Sequence, residues 1–353
     1  MKIIYLFYVS NNISTHKVHK AIKKYILLFL ITYIGLNNAF CQQEPRSSLY
    51  MQNITAVNVG AVGSKTQGDV VIDIQRPFGS FKDGAGNTIL PNSNWITFNM
   101  PLKKINSGIG LNIVMDQNGL FEQSKNIALQ YAYQLKIGDG KLGIGANFGF
   151  NMLSYDFSKA VYPSSLETGS GGSDVLIQNI PKSETKINFG LGAFYTKGDL
   201  YFGASFTNIN SPKLKLNQGS VKYFVPNAYF IAGYTYKPTN PLFVIMPSML
   251  YKTPINGILT ITSPQLSLNT TLEYSRFLLL GLEYSTGSEV SFIAGANIKN
   301  GSKFDGARFL FSYDIIASKL GALNLLKYEF IIGYSFNLHI EKNTKTYKSV
   351  RFL

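Results

Sequence analysis

The chain has 353 residues, 33 Lys and Arg against 19 Asp and Glu, a formal net charge of +14 and one cysteine, Cys41. Charged residues make up only 15% and aromatics 14%, whereas a soluble domain carries about 25% charged residues. A single cysteine excludes a disulfide framework and a cysteine metal site. The basic residues after position 41 are scattered, with no run longer than the pair Lys103-Lys104, which excludes a nucleic-acid patch, and no nucleic-acid partner is expected.

Residues 1–41 read as a leader with a signal peptide. Lys20, Lys23 and Lys24 precede the apolar run Tyr25–Leu36, which is shorter than the roughly 20 residues a spanning helix needs. Ala39 and Cys41 fit a cut before Gln42. A lipoprotein cut at Cys41 fits poorly, because bulky Phe40 precedes it. Residues 42–67 come before the first clear strand, and within them residues 47–64 are small and weakly polar. They are expected to form a periplasmic or plug segment.

From residue 68 the pattern alternates with period two, the signature of strands. Ile127, Leu129, Tyr131, Tyr133 and Leu135 share one face, with Ala128, Gln130, Ala132 and Gln134 on the other. Leu142 to Asn151 repeats the pattern. Fourteen strands are predicted, at 68–76, 94–101, 108–116, 127–136, 141–152, 186–197, 200–208, 227–236, 242–251, 265–274, 277–284, 290–298, 307–314 and 328–336. Most match the roughly 9–11 residues of a tilted bilayer-crossing strand. A soluble sandwich also alternates, but its polar face is rich in Lys, Glu and Thr. Here that face is Gly, Ala, Ser, Asn and Gln, which suits an enclosed interior. Counted from a periplasmic start, odd links such as 153–185 and 209–226 are long and even links are short, the asymmetry of outer-membrane barrels. The fold class is therefore all-β, a transmembrane antiparallel outer-membrane β-barrel over 68–336, with a periplasmic tail at 337–353. Pro247, inside the segment at 242–251, requires a bulge or an inward contact.

Candidate chemistry is sparse. His16 and His19 lie in the leader and His339 follows the last strand, so a Ser–His–Asp set inside the barrel is unavailable. Glu273 and Glu283 fall on neighbouring strands and read as structural groups. Gly143-x-Gly145 and Gly190-x-Gly192 lack the third glycine and the helix of a nucleotide loop. Aromatic residues read as lipid-facing and girdle groups rather than a sugar track. No catalytic residue, metal or cofactor is expected.

The order of short motifs resembles a known family. Tyr50-Met51-Gln52-Asn53 and Asn58-Val59-Gly60-Ala61-Val62-Gly63-Ser64 are similar to the opening of the PorP/SprF family of Bacteroidota, with Val59 where that family usually has proline. Asp116-Gln117-Asn118-Gly119, Pro247-Ser248-Met249-Leu250, Phe311-Ser312-Tyr313-Asp314 and the final Tyr328…Phe336 follow in family order. The resemblance implies a non-enzymatic outer-membrane component of type IX secretion and gliding motility, which assists export or surface anchoring of a large adhesin or other cargo. Implied partners are outer-membrane lipid, the cargo's C-terminal domain, and periplasmic or peptidoglycan-linked components. Within it, Tyr50, Met51, Asn53, Asn58, Gly60, Ala61, Gly63 and Ser64 become candidate partner-binding residues. The alternative is a diffusion channel for small solutes.

Overall fold

The computed structural model describes residues 45–78, 91–119, 121–156, 183–211, 213–216, 219–222, 224–256, 260–261, 264–286, 289–299, 304–316 and 326–337. The leader, the three histidines, most of the 153–185 link and all but the first residue of the 337–353 tail lie outside them. All the predicted strands form: β1 Gly68–Phe78, β2 Asn92–Leu102, β3 Ser107–Asn118, β4 Glu122–Ile137, β5 Gly140–Tyr155, β6 Ser183–Lys197, β7 Leu200–Thr207, β8 Asn227–Tyr234, β9 Phe243–Asn256, β10 Gln265–Tyr274, β11 Leu278–Ser285, β12 Glu289–Asn297, β13 Ala307–Ile316 and β14 Leu326–Phe336. Each pairs antiparallel with its neighbours in sequence, and β1 pairs with β14 from Gly68–Phe336 to Phe78–Leu326. The sheet therefore closes on itself and leaves no free edge among the barrel strands.

Side chains sort by parity. Ala128, Gln130, Ala132 and Gln134 are buried, while Leu129 is 65% exposed and Tyr131 and Tyr133 are exposed with it. Phe148, Phe150, Phe189, Phe202, Phe292, Phe330 and Tyr334 are exposed on the same outer face. A soluble monomer rarely exposes so continuous an apolar surface. Lipid is the solvent that covers such a band.

The three longest strands all outrun the predicted spans. β4 and β5 have 16 residues and β6 has 15, more than the roughly 9–11 that cross a bilayer. Their upper outward residues, Gln123, Lys125, Ser183 and Thr185, are exposed and polar, so the extra length stands clear of the apolar band. Pairing of β3 with β4 continues to Asn118–Glu122. The expected long link at 117–126 accordingly shrinks to residues 119–121. At the other end the links stay short. Gly138 and Gly198, with φ of 56° and 57°, open two-residue turns, the glycine-first pattern of a type II′ hairpin.

Pro247 enters β9 without a bulge. The ladder from β8 runs to Gly233–Ser248 and resumes at the Tyr236–Ile245 bridge, with both hydrogen bonds made. By parity, Tyr234 and Pro247 would form the hydrogen-bonded pair between them, and proline has no N–H to give. On the other side Pro247 faces Thr270 in an unbroken ladder. Pro247→Val supplies the missing donor on an exposed, lipid-facing position. It is expected to raise the unfolding free energy by about 0.5–1.5 kcal/mol, read from urea unfolding in micelles.

Candidate functional site

A closed ring of this size leaves a wider interior than side chains alone can fill, since about eight strands already do so. Inward positions on β4–β7 are small: Ala128, Ala132, Gly143, Gly145, Gly192 and Gly203. What occupies the space is the chain itself. Residues 46–63 hydrogen-bond to inward-facing groups on strands from opposite sides of the ring, which is possible only from within.

Small residues let this segment pass. A Cβ on Gly143 would lie 2.0 Å from the Gly60 carbonyl oxygen, and one on Gly108 would lie 2.4 Å from the Gly63 Cα. Gly63 has a φ of 75°, a region that glycine enters at little cost, and there the chain turns toward β1. Ahead of Gly63 run a 3-10 turn Tyr50–Gln52, a single helical turn Ile54–Val57 and a second 3-10 turn Val59–Ala61. Asn58 caps the last by accepting from the Gly60 N–H at 2.8 Å.

The wall grips mainly the segment's backbone. Gln75 donates to the Arg46 carbonyl at 2.9 Å, Gln130 to Thr55 at 3.1 Å and Ser205 to Val57 at 2.6 Å. Gln134 donates to both Gly60 (3.3 Å) and Val62 (2.7 Å). Gln134→Leu leaves these buried carbonyls unpaired. It is expected to cost about 1–3 kcal/mol of stability, measured by denaturant unfolding.

The upper end of the segment is held by charge. The Arg46 guanidinium pairs with Glu283 and Glu289 and donates to the Ser267 hydroxyl at 2.9 Å. Burial opposes its charge, but the two carboxylates outweigh it and hold the group above its ordinary pKa. Glu329, fully buried, accepts from the Ser47 hydroxyl and from the Ser48 N–H at 2.8 Å. Asp314 accepts from the Ser48 hydroxyl at 2.9 Å and meets Lys327 at 3.1 Å. Lys327 reaches Glu289 as well, at 2.7 Å. At the short-turn end Arg308 and Asp69 form a two-point pair at 2.7 and 2.8 Å.

Apolar contacts complete the seal. Leu49 packs with Val71, Leu279, Ile293, Leu310 and Ile331. Tyr50 packs with Phe194, Tyr229, Ile231 and Leu250. Its hydroxyl lies 3.1 Å from that of Ser248, and burial pushes the phenol above its ordinary pKa. These inward-facing apolar residues depart from the expected small and polar interior. They were missed because alternation alone does not reveal that the interior is packed.

Seven of the eight motif residues belong to this segment, and the eighth, Ser64, follows it directly. Tyr50, Asn53, Asn58, Gly60 and Ala61 are buried, and Met51 is partly buried between the two apolar clusters. Asn53 accepts from Thr97 at 2.8 Å, Asn58 donates to the Ala193 carbonyl at 3.0 Å, and Gly63 donates to Asn99 at 2.8 Å. Ser64 donates its N–H to the Ala61 carbonyl at 3.1 Å. Glu273 and Glu283 do not come together. Glu283 serves Arg46, whereas Glu273 binds Asn297 and Lys299.

Above the segment lies a cavity of about 130 Å³. Arg46, Tyr50, Asn53 and Val57 line it from the segment, and Trp95, Asn112, Gln130, Asn147 and Asn188 line it from the wall.

A closed antiparallel ring with a lipid-facing apolar band and an interior filled by polypeptide defines an outer-membrane β-barrel with an occupied lumen. The chain belongs to the PorP/SprF family of type IX secretion system membrane proteins, whose family model matches residues 39–334. It resides in the outer membrane. No curated protein matches it in sequence. Solved structures with a similar fold include a TodX monoaromatic hydrocarbon channel, deltaS2 mutant (13% identity, 82% of this chain and 95% of that one, TM-score 0.45). The CymD monoaromatic hydrocarbon channel is similar at 11% identity (83% and 93%, TM-score 0.44). The outer membrane protein Omp33 of Acinetobacter baumannii is similar at 9% identity (78% and 100%, TM-score 0.41).

Proposed function

We propose that this barrel works by binding rather than catalysis, as a part of the type IX secretion and gliding apparatus that helps export a large adhesin or other cargo or holds it at the surface. The observation that carries this reading is the filled lumen. Residues 46–63 occupy the space a diffusion channel would need, so the molecule's free surfaces are its two rims. The rim at the long-link end is raised on one side by β4–β6 and is the side for the cargo's C-terminal domain. The short turns and the 337–353 tail are the side for periplasmic or peptidoglycan-linked components. The eight motif residues serve by holding the segment in place, and through it the shape of both rims.

Deleting the gene and quantifying surface-exposed and released proteins tests this. Selective loss of one or a few large secreted proteins is expected, with small-solute uptake unchanged. An intact surface proteome with a defect in solute uptake would instead favour the diffusion channel.

A further inference from the structure

We propose that the lumen segment enters the barrel from its outer mouth, so that the residues ahead of Arg46 emerge on the cell surface, at the rim that meets cargo, and the leader is cut off before the ring closes. This rests on the sidedness of the proposed function, with the long links outside and the short turns in the periplasm.

Strand β1 acts as a ruler for the segment. It begins at Gly68, paired with Phe336 at the short-turn end, and rises to Phe78 at the long-link end. Gln75 holds the Arg46 carbonyl at 2.9 Å. Glu329, the residue paired with Gln75, accepts from the Ser48 N–H at 2.8 Å. Asn53 meets Thr97, which pairs with Val71. Gly63 meets Asn99, which pairs with Asp69. The segment therefore descends as β1 rises, from the level of Gln75 to that of Asp69, about 20 Å along the strand. Its N-terminal end is the upper one.

Two observations say where the chain lies ahead of Arg46. Pro45 lines the cavity together with Phe224 and Val225 of the long 209–226 link, so the chain is already on the outer side there. The end of β1 at Phe78 is about 10 Å above Gln75, and residues 42–45 extend to about 14 Å. The way back is about 20 Å, longer than those residues reach, and it runs through a lumen that Leu49 and Tyr50 plug with apolar contacts on opposite walls. A leader kept in the inner membrane by Tyr25–Leu36 would lie on the periplasmic side, and it could not be joined to a chain that leaves by the outer mouth. Hydrolysis of one peptide bond between Leu36 and Pro45, with water divided between the new carboxylate and amine, therefore precedes closure.

Cys41 is the chain's only cysteine, so Cys41→Ser/Gln43→Cys carries a single thiol in this arm. Two further single-thiol proteins mark the sides: Cys41→Ser/Gly171→Cys in the 153–185 link and Cys41→Ser/Lys104→Cys in the short turn at Lys103–Ile105. Cells are treated with a polyethylene-glycol maleimide too large to cross the outer membrane. The Gln43→Cys protein is expected to react on intact cells to the same extent as Gly171→Cys, while Lys104→Cys reacts only after permeabilisation. Its labelled tryptic peptide, ending at Arg46, is expected to lack Tyr25–Leu36. A Gln43→Cys thiol that reacts like Lys104→Cys, or that stays unreactive in both conditions, overturns the threading while the markers still report the orientation of the barrel. Reversed markers overturn the sidedness beneath it, and a labelled peptide that retains Tyr25–Leu36 overturns the order of cleavage and closure.

Discussion

Replacing Arg46 with methionine is expected to lower the unfolding free energy by about 3–5 kcal/mol, the usual cost of removing one partner from a buried ion pair. Arg46 has 8% of its side chain exposed and Glu283 has 1%, so water cannot take over the lost interaction. Arg46 also spends a guanidinium N–H on Ser267 and ties the upper end of the lumen segment to β10, β11 and β12. Methionine has similar length and leaves little void, so the measured loss reports charge rather than packing. Adding Glu283→Gln to the variant removes a stranded carboxylate and is expected to recover part of the deficit. The coupling is read from a double-mutant cycle in urea. Equal stabilities of all four proteins would mean that the pair is not formed.

Gly143→Val acts on the lumen itself. Its Cβ would fall 2.0 Å from the Gly60 carbonyl oxygen, so either the wall or the segment must move. The wall is held by continuous ladders to β4 and β6, and valine suits a strand. The segment is held by separate side-chain bonds, so it is the segment that yields. In a planar bilayer the unmodified protein is expected to show no steady current, and Gly143→Val is expected to show openings. Ala146→Val, on the exposed face of the same strand, is the control and should remain silent. A steady current through the unmodified protein, or a silent Gly143→Val that still folds, would contradict this reading.

The strands were legible because lipid and interior impose opposite demands on neighbouring residues. Ile127 to Leu135 states that alternation outright, and every predicted strand formed with its ends shifted by a few residues. Strand extension beyond the bilayer was not legible, because Gln123, Lys125, Ser183 and Thr185 read like loop residues when no partner strand is in view. The inward apolar rows were hidden as well. Val71, Leu279, Ile293, Leu310 and Ile331 are explained only once Leu49 lies against them. The motif Asn58 to Ser64 signalled a segment of importance, and its glycines carry a physical meaning that sequence alone leaves open. They mark where one stretch of backbone crosses another too closely for a side chain. The cavity above the segment had no signature at all, since Trp95, Asn112, Gln130, Asn147 and Asn188 line it from five separate strands.

The claim on which the rest depends is that residues 46–63 lie within the closed ring. The Asn53 carboxamide and the Thr97 hydroxyl are 2.8 Å apart, one on the segment and the other on the inner face of β2. The double variant Asn53→Cys/Thr97→Cys, made with Cys41→Ser, is oxidised in intact outer membranes and analysed by peptide mass spectrometry. A disulfide joining the two peptides in near-complete yield, with neither thiol open to a soluble maleimide, is the predicted result. Free thiols that both react with maleimide, and no linked peptide, would show that the segment lies elsewhere.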